Sequence, residues 1–566
     1  MRILIFQTTR MGDMLQTTPL IRALRRRYPD AHIAVMVRPL GKVIAQCNSD
    51  IDEMFLYDED RMFTNLRAHD SDRLLDAYKN ADLIVQWMKD SKFDRVYNVT
   101  HSISSAMLLK LAGFPDIIGA YLSDDWIFVL KGEWTNYFFA SVFDRKYNAL
   151  NLCDITGRFE DDAEPALELV FDLRPEDEAF AAQFIAENKI DPGTMLVGIQ
   201  LGASDEYKRW SVPHCAALAR MLHERFGARI LLFGVEEEAK LGDEFERHAP
   251  GLGIPLYGKT SIAQAAALLA KCRFLVTNDT GTMHVAAAVK CPVVLVSIGY
   301  VHFRETGPYG AGHVAIERRK TIIANSNIKE SEVDDSTYVQ PAHVMRAVDF
   351  LLHLNETGEP LDIPDDPEMD GVDLYWSEFA PDGCLEWYPA VRRELSETDF
   401  LRIAYRCLRL DPGDGETPGS TEWRSLNRLL GQYRLEGDTS LAEFQRKSQA
   451  EFAQLAGMAE QGEKFARDLL KALTGKRDIK KAKELVAQLK EVDEAVRIFG
   501  EIHPGCRPIS AMARFERDNL ELGPAEELAQ KTIDIYAGCT RRAHGMARKC
   551  AVLLNSVPGT PLPKVP

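Results

Sequence analysis

The chain has 566 residues, too many for one hydrophobic core, so three or four folded units are expected. Its net charge of −17 excludes a nucleic-acid binder with a wholly basic surface and leaves room only for a local positive cleft. No uncharged run approaches the ~18 residues of a membrane-spanning helix, and the apolar start is too short for a signal peptide before Arg10 interrupts it.

In chain order, residues 3–6 read as a buried first strand, followed by a polar turn that holds Arg10, Met11, Gly12 and Asp13 and leads into a helix. One glycine stands where a dinucleotide fingerprint needs three, so no nicotinamide cofactor is expected. Asp13 lies on the loop side where open α/β sheets place ligands; helix capping is its ordinary alternative role. Strands follow at residues 31–37 and 53–57, then a charged, helix-prone segment over 58–92 that reads as an insertion or lid. Another strand covers 93–99, and its polar end carries His101, a substrate-side candidate or simple scaffolding. The aromatic group Trp126, Trp134, Tyr137, Phe138 and Phe139 reads as core packing or as a seat for the apolar part of an acceptor.

A second series of strands begins near residue 167. The strand over 195–200 ends in a turn with Ser204, Lys208, Arg209 and Trp210, a hydroxyl and cations suited to a phosphorylated ligand. The strand over 229–234 ends before Glu236, an acid placed to accept from ribose hydroxyls. Residues 274–276 and 293–296 are apolar strands around Asp279, Thr280, Gly281 and Thr282, where a helix begins. A helix start presents free N–H groups and about half a positive charge to an anion. The ten cysteines form no C-x-x-C pair and no zinc spacing, and read as reduced thiols of a cytosolic protein.

Beyond residue 356, an acidic, proline-bearing stretch reads as a linker over 357–373 and a Gly/Pro-rich loop is expected over 411–421. Two apolar stripes, over 444–473 and 479–499, suggest an antiparallel helical hairpin that turns at residues 475–478, and a final helix pair is expected over 522–554. No motif of chemistry occurs there. The region reads as an interaction module for oligomerisation, acceptor docking or a partner protein, or as a packing appendage.

Four motifs together resemble glycosyltransferase family 9, the ADP-heptose lipopolysaccharide heptosyltransferases. They are Met11-Gly12-Asp13 with Thr17-Thr18-Pro19, the turn from Ser204 to Lys208-Arg209-Trp210, Gly258-Lys259-Thr260-Ser261, and residues 278–288. The resemblance spans about residues 1–356. It implies a GT-B architecture of two doubly wound Rossmann-like domains facing a cleft: an acceptor domain over 1–162 and a nucleotide-sugar donor domain over 163–356. A mostly helical extension over 374–566 would follow the linker.

The implied reaction is inverting, metal-independent transfer of a heptose-like sugar from an ADP-sugar to a hydroxyl of a cell-envelope glycan or glycolipid, with no cofactor and no nucleic-acid partner. By position, Asp13 resembles the general base, Ser204 and Lys208 the diphosphate holders with Lys208 standing in for a metal, and Glu236 the ribose acid. Asp279 resembles a sugar-contacting carboxylate, and Thr280, Gly281 and Thr282 supply N–H groups to the leaving group. His284 either touches the phosphate or packs its helix; Arg10 and His101 are acceptor-side candidates. The sequence departs from the family at Ala203, where a hydroxyl residue is usual, and after Val296, where a Gly-Pro-Thr turn is usual. A cytoplasmic place is implied, with peripheral association at the inner membrane left open, and the rival reading is a non-catalytic nucleotide-sugar scaffold.

Overall fold

Short apolar runs closed by polar turns build two large sheets, beside a small two-stranded one, in this computed structural model, which describes residues 1–566 except 161–165, 320–335, 362, 364–368, 370, 411–420, 435–438, 476–477 and 556–566. The boundary expected at 162/163, residues 362, 364–368 and 370 of the expected linker, all but the last residue of the expected loop, and the hairpin turn at 476–477 lie outside the described residues.

The first sheet contains β1 (Arg2–Gln7), β2 (His32–Val37), β3 (Glu53–Leu56), β4 (Arg95–Asn98), β5 (Ile117–Leu122) and β6 (Phe128–Lys131), in the order β3-β2-β1-β4-β5-β6. Pairings β1–β4, β2–β3 and β4–β5 are parallel, and β6 returns antiparallel on β5. The second sheet contains β7 (Leu196–Gln200), β8 (Arg229–Phe233), β9 (Gly253–Pro255), β10 (Phe274–Thr277), β11 (Val293–Ser297), β12 (Val314–Arg318), β13 (Val372–Phe379) and β14 (Leu385–Pro389). Its order is β14-β13-β12-β11-β10-β7-β8-β9, so the direction of winding reverses between β7 and β10. Open α/β sheets bind ligands outside the carboxyl ends of strands at such a reversal.

β13 and β14 correct the sequence reading, which gave these residues to a linker and a helical region. They add antiparallel to β12. Their polar residues are buried rather than solvated: Asp373 pairs with Arg319 at 3.0 Å and with Arg393 at 2.9 Å, and Ser377 donates to the Gly310 carbonyl at 2.8 Å. Charges buried in pairs hide the period-two alternation that marks a half-exposed strand.

Contacts divide the chain into two compact units. One holds residues 7–60 and 150–393 together with Met1; the other holds 2–6, 61–149 and 394–566. In the second unit, helices Glu397–Leu410, Thr439–Thr474, Ile479–Ile502, Arg507–Asp518 and Ala525–Asn555 make up most of the C-terminal region. The long helices Thr439–Thr474 and Ala525–Asn555 pack side by side, and Thr439–Thr474 also meets Ile479–Ile502. The expected final pair is one helix, Ala525–Asn555, because its buried stripe runs on through Ile533, Tyr536, Cys539, Ala543, Met546 and Cys550 without a proline to break it.

In the same unit Trp134, Tyr137, Phe138 and Phe139 are packed, whereas Trp126 is exposed. Arg409 lies over the Trp134 ring at 4.0 Å and the Tyr137 ring at 4.9 Å and pairs with Glu133 at 2.6 Å. Phe139 meets Phe515 at 6.1 Å, and Asn519 accepts from the Leu130 N–H at 3.0 Å and donates to Asn136 at 2.7 Å. Helix Glu133–Phe143 is thus covered by this chain's own C-terminal helices.

Each unit shields a neutral histidine from water, His313 buried and His101 half-buried. His313 accepts from the Val293 N–H through Nδ1 at 3.2 Å, His101 packs between Phe138 and Phe139, and burial pushes both imidazoles down to about 3. Unfolded, each would take its proton near pH 6.5. Between these values the unfolded chain binds more protons than the folded one, so stability falls as pH falls. Acidification to pH ~5.5 is expected to cost about 1.4 kcal/mol per histidine. Thermal melts at neutral and acidic pH check this, and a melting temperature that held or rose on acidification would contradict it.

Candidate active site

The site forms at the reversal point of the second sheet. β10 ends at Thr277, and Asn278 and Asp279 lead to the helix Gly281–Ala288. Thr280 stands at the N-cap in an extended conformation but makes no side-chain capping bond. Asp279, available in sequence as a cap, turns instead to Lys208, with Nζ to Oδ2 at 2.9 Å. Buried Asn278 fixes the neighbouring turn: its Oδ1 accepts from the Trp210 N–H at 2.9 Å and its Nδ2 donates to the Gly202 carbonyl at 3.2 Å. The turn itself is a short 3-10 segment, Glu206–Lys208, capped by Asp205, which accepts from the Tyr207 N–H at 3.0 Å.

A second helix start meets the first. A Cβ on Gly12, in the first turn of helix Met11–Arg27, would come 2.8 Å from the His284 ring, and one on Gly281 would come 2.4 Å from the Met11 methyl. The two helix starts therefore touch through residues that have no side chain. Asp13 accepts from the Arg10 N–H at 3.0 Å and is partly exposed, so its carboxylate caps its own helix and still reaches solvent. His284 is buried on the inner side of its helix. Burial lowers its pKa, opposed by the negative charges of Asp279 and Asp13, which both reach it. A neutral imidazole between two carboxylates fits packing and polarisation better than pairing with a phosphate as a cation.

The structure thus gathers Asp13, Lys208, Asp279, the 280–282 turn and His284 within one unit. The charge of Arg10 also reaches the hydroxyl of Tyr300, which lies beside Lys208. Ser204 is exposed on the same turn, and Glu236 is exposed against Gly258, whose φ is +65°. His101 belongs to the other unit and is enclosed by aromatic rings.

Sequence reasoning missed Gln200, Glu238, Asn278 and Tyr300. Gln200 accepts from the Thr282 hydroxyl at 3.0 Å and donates to Glu238 at 3.0 Å, and Glu238 also accepts from the Val235 N–H at 3.1 Å. The one signal was a buried glutamine ending an otherwise apolar strand. A Cβ on Gly202 would lie 1.6 Å from a Glu238 oxygen. Gly202→Ala is therefore expected to expel that carboxylate, strip Gln200 and Val235 of their acceptor, and cost about 1–3 kcal/mol. A thermal melt checks it; an unchanged melting temperature would show that the relay contributes nothing.

The fold is of the GT-B class. The model of glycosyltransferase family 9 (heptosyltransferase) matches residues 84–337, so the chain carries a family 9 region. It is 27% identical over 312 residues to lipopolysaccharide heptosyltransferase 2 of Escherichia coli (strain K12), covering 52% of this chain and 82% of that protein. To lipooligosaccharide heptosyltransferase 2 of Haemophilus ducreyi it is 28% identical over 310 residues, covering 53% and 83%. The crystal structure of the glycosyl transferase family 9 from Veillonella parvula DSM 2008 shares the fold at 20% identity with a TM-score of 0.50, covering 62% of this chain and 97% of that one. These relatives are named as transferases, and the scaffold reading is not favoured.

Proposed function

We propose that the enzyme moves a heptose-like sugar from an ADP-sugar to a hydroxyl of a cell-envelope glycan, with inversion and without a metal ion. The observation that carries this is the meeting of two helix starts, one bearing Asp13 and the other lying beside the Lys208–Asp279 pair. In this reading the Asp13 carboxylate takes the acceptor hydroxyl proton as the oxygen bonds to the anomeric carbon. The bond from that carbon to the ADP oxygen breaks, and its electron pair leaves with the diphosphate. Charge grows on the bridging oxygen, where Lys208 and the N–H groups of Thr280, Gly281 and Thr282 stabilise it.

Ser204 donates to the same diphosphate, Glu236 accepts from the ribose, Asp279 orients the sugar, and His284 backs the helix start. Arg10 remains an acceptor-side candidate. Among the described residues no helix is long and apolar enough to cross a membrane, so a glycolipid acceptor would be met by peripheral association with the inner membrane. Assembly or partner recruitment through the helical region at 394–566 would be a further role of the same chain.

The test is acceptor-dependent release of ADP from ADP-heptose, with the anomeric configuration of the product read by NMR and the rate compared with and without EDTA. Retention of configuration, or loss of activity with chelator, would sink those parts of the proposal; preference for a UDP-sugar would sink the donor.

A further inference from the structure

The segment after β11 departs from the family's usual turn, and it carries a residue that the reaction outlined above has not used. The Lys208 ammonium lies over the Tyr300 ring, 4.6 Å from its centroid, while also pairing with Asp279 at 2.9 Å. The Tyr300 hydroxyl donates to Asp205 Oδ2 at 2.8 Å, and the other oxygen of Asp205 accepts from the Tyr207 N–H at 3.0 Å. One carboxylate thus caps the lysine's turn and anchors the tyrosine. The approach depends on Gly299: its φ is +66°, and a Cβ there would come 2.6 Å from the Tyr207 carbonyl. Asn278 holds the far end of the same turn through Trp210.

A lysine has a long, mobile stem, and a catalytic ammonium needs holding without being neutralised. A carboxylate holds it but cancels its charge, whereas an aromatic face attracts the cation through its quadrupole and leaves the full charge available to an anion. With one N–H directed to Asp279 and one side against a ring, the remaining hydrogen-bonding capacity is restricted to a narrow range of directions.

We propose that Tyr300 is a positioning residue that acts through Lys208, setting this enzyme's affinity for the diphosphate of its nucleotide-sugar. The proposal rests on the reading of Lys208 as a diphosphate holder. Tyr300→Phe keeps the ring and loses only the hydroxyl. Tyr300→Leu keeps most of the bulk and loses the aromatic face.

The test measures ADP binding by calorimetry for the full chain, the two variants, Lys208→Met and the double variant Lys208→Met/Tyr300→Leu. Tyr300→Leu is expected to weaken ADP roughly 3–30-fold, the span of a cation–π contact. Tyr300→Phe is expected to stay within about threefold, and Tyr300→Leu to add less than about twofold once Lys208 is Met. In turnover, the loss is expected in KM for the donor and also in kcat, because Lys208 is read as holding the bound diphosphate and stabilising the charge that grows on it. Equal losses in Phe and Leu, or an undiminished Leu effect in the Lys208→Met background, would overturn the proposal.

A second readout does not depend on the reaction. Acylation of Lys208 by an N-hydroxysuccinimide ester, followed by mass spectrometry, is expected to rise several-fold in Tyr300→Leu and to stay at the wild-type rate in Tyr300→Phe. An unchanged rate in Tyr300→Leu would overturn the contact itself. Absence of ADP binding in the wild type, with the labelling pattern as expected, would instead count against Lys208 as the diphosphate holder.

Discussion

Asp13→Ala is expected to lower the rate of sugar transfer by roughly 10²–10⁴-fold while leaving ADP affinity within a fewfold of wild type. The carboxylate is partly exposed at a helix start and is bonded through one oxygen to the Arg10 N–H, so it can accept a proton without being extracted from the core. Alanine also removes a helix cap, worth about 0.5–2 kcal/mol, so the rate has to be separated from folding. Asp13→Asn does this, because the amide oxygen can still accept from Arg10 but the group is no longer a base. If the asparagine variant transfers sugar within tenfold of wild type, Asp13 is a cap and nothing more. Equal slowing in both variants, with intact melting temperatures, identifies the lost basicity as the cause.

Removal of residues 394–566 is expected to unfold the part of the second unit that remains, not to trim an appendage. Those residues form one compact unit with 61–149, and they shelter Trp134, Tyr137 and Phe139 as well as the backbone of β6 through Asn519. Full burial of one large apolar side chain contributes about 1.5–3 kcal/mol. These rings are only half-buried, so uncovering three of them forfeits on the order of 3–4 kcal/mol, with further loss from the stranded partners of Asn519. That is a large part of the ~5–15 kcal/mol net stability of a domain. Dye binding, sedimentation and melting of a chain ending at Arg393 would show it; a monomeric shortened protein with the wild-type melting temperature would refute it.

Much of the donor side was legible because a parallel sheet writes itself plainly: buried strands are unbroken apolar runs, and the polar residues that follow mark strand ends. Phe274–Thr277 and the helix at Gly281 appear where the pattern places them. The sequence also separated Lys208 and Asp279 by 71 positions without revealing that they pair, since a pairing across strands depends on strand order. Glu236, Glu237 and Glu238 are indistinguishable in sequence; the 3-10 turn they form leaves Glu236 outside and folds Glu238 back onto Gln200. β13 escaped notice because its buried Asp373 has two arginine partners that are remote from any local pattern. Tyr300 was visible only as a departure from a familiar turn, with no hint of the lysine beneath its ring.

The contact of Gly12 with His284 and of Gly281 with Met11 has a consequence for how this enzyme tolerates change. The spacing between the proposed base and the proposed leaving-group site is set by two positions that offer no functional group at all. A methyl at Gly12 would press on the His284 ring and shift the two helix starts against each other, whereas at Gly281 it would meet only the flexible end of Met11. A search for reactive groups would pass over both, yet they form the gauge against which those groups are aligned.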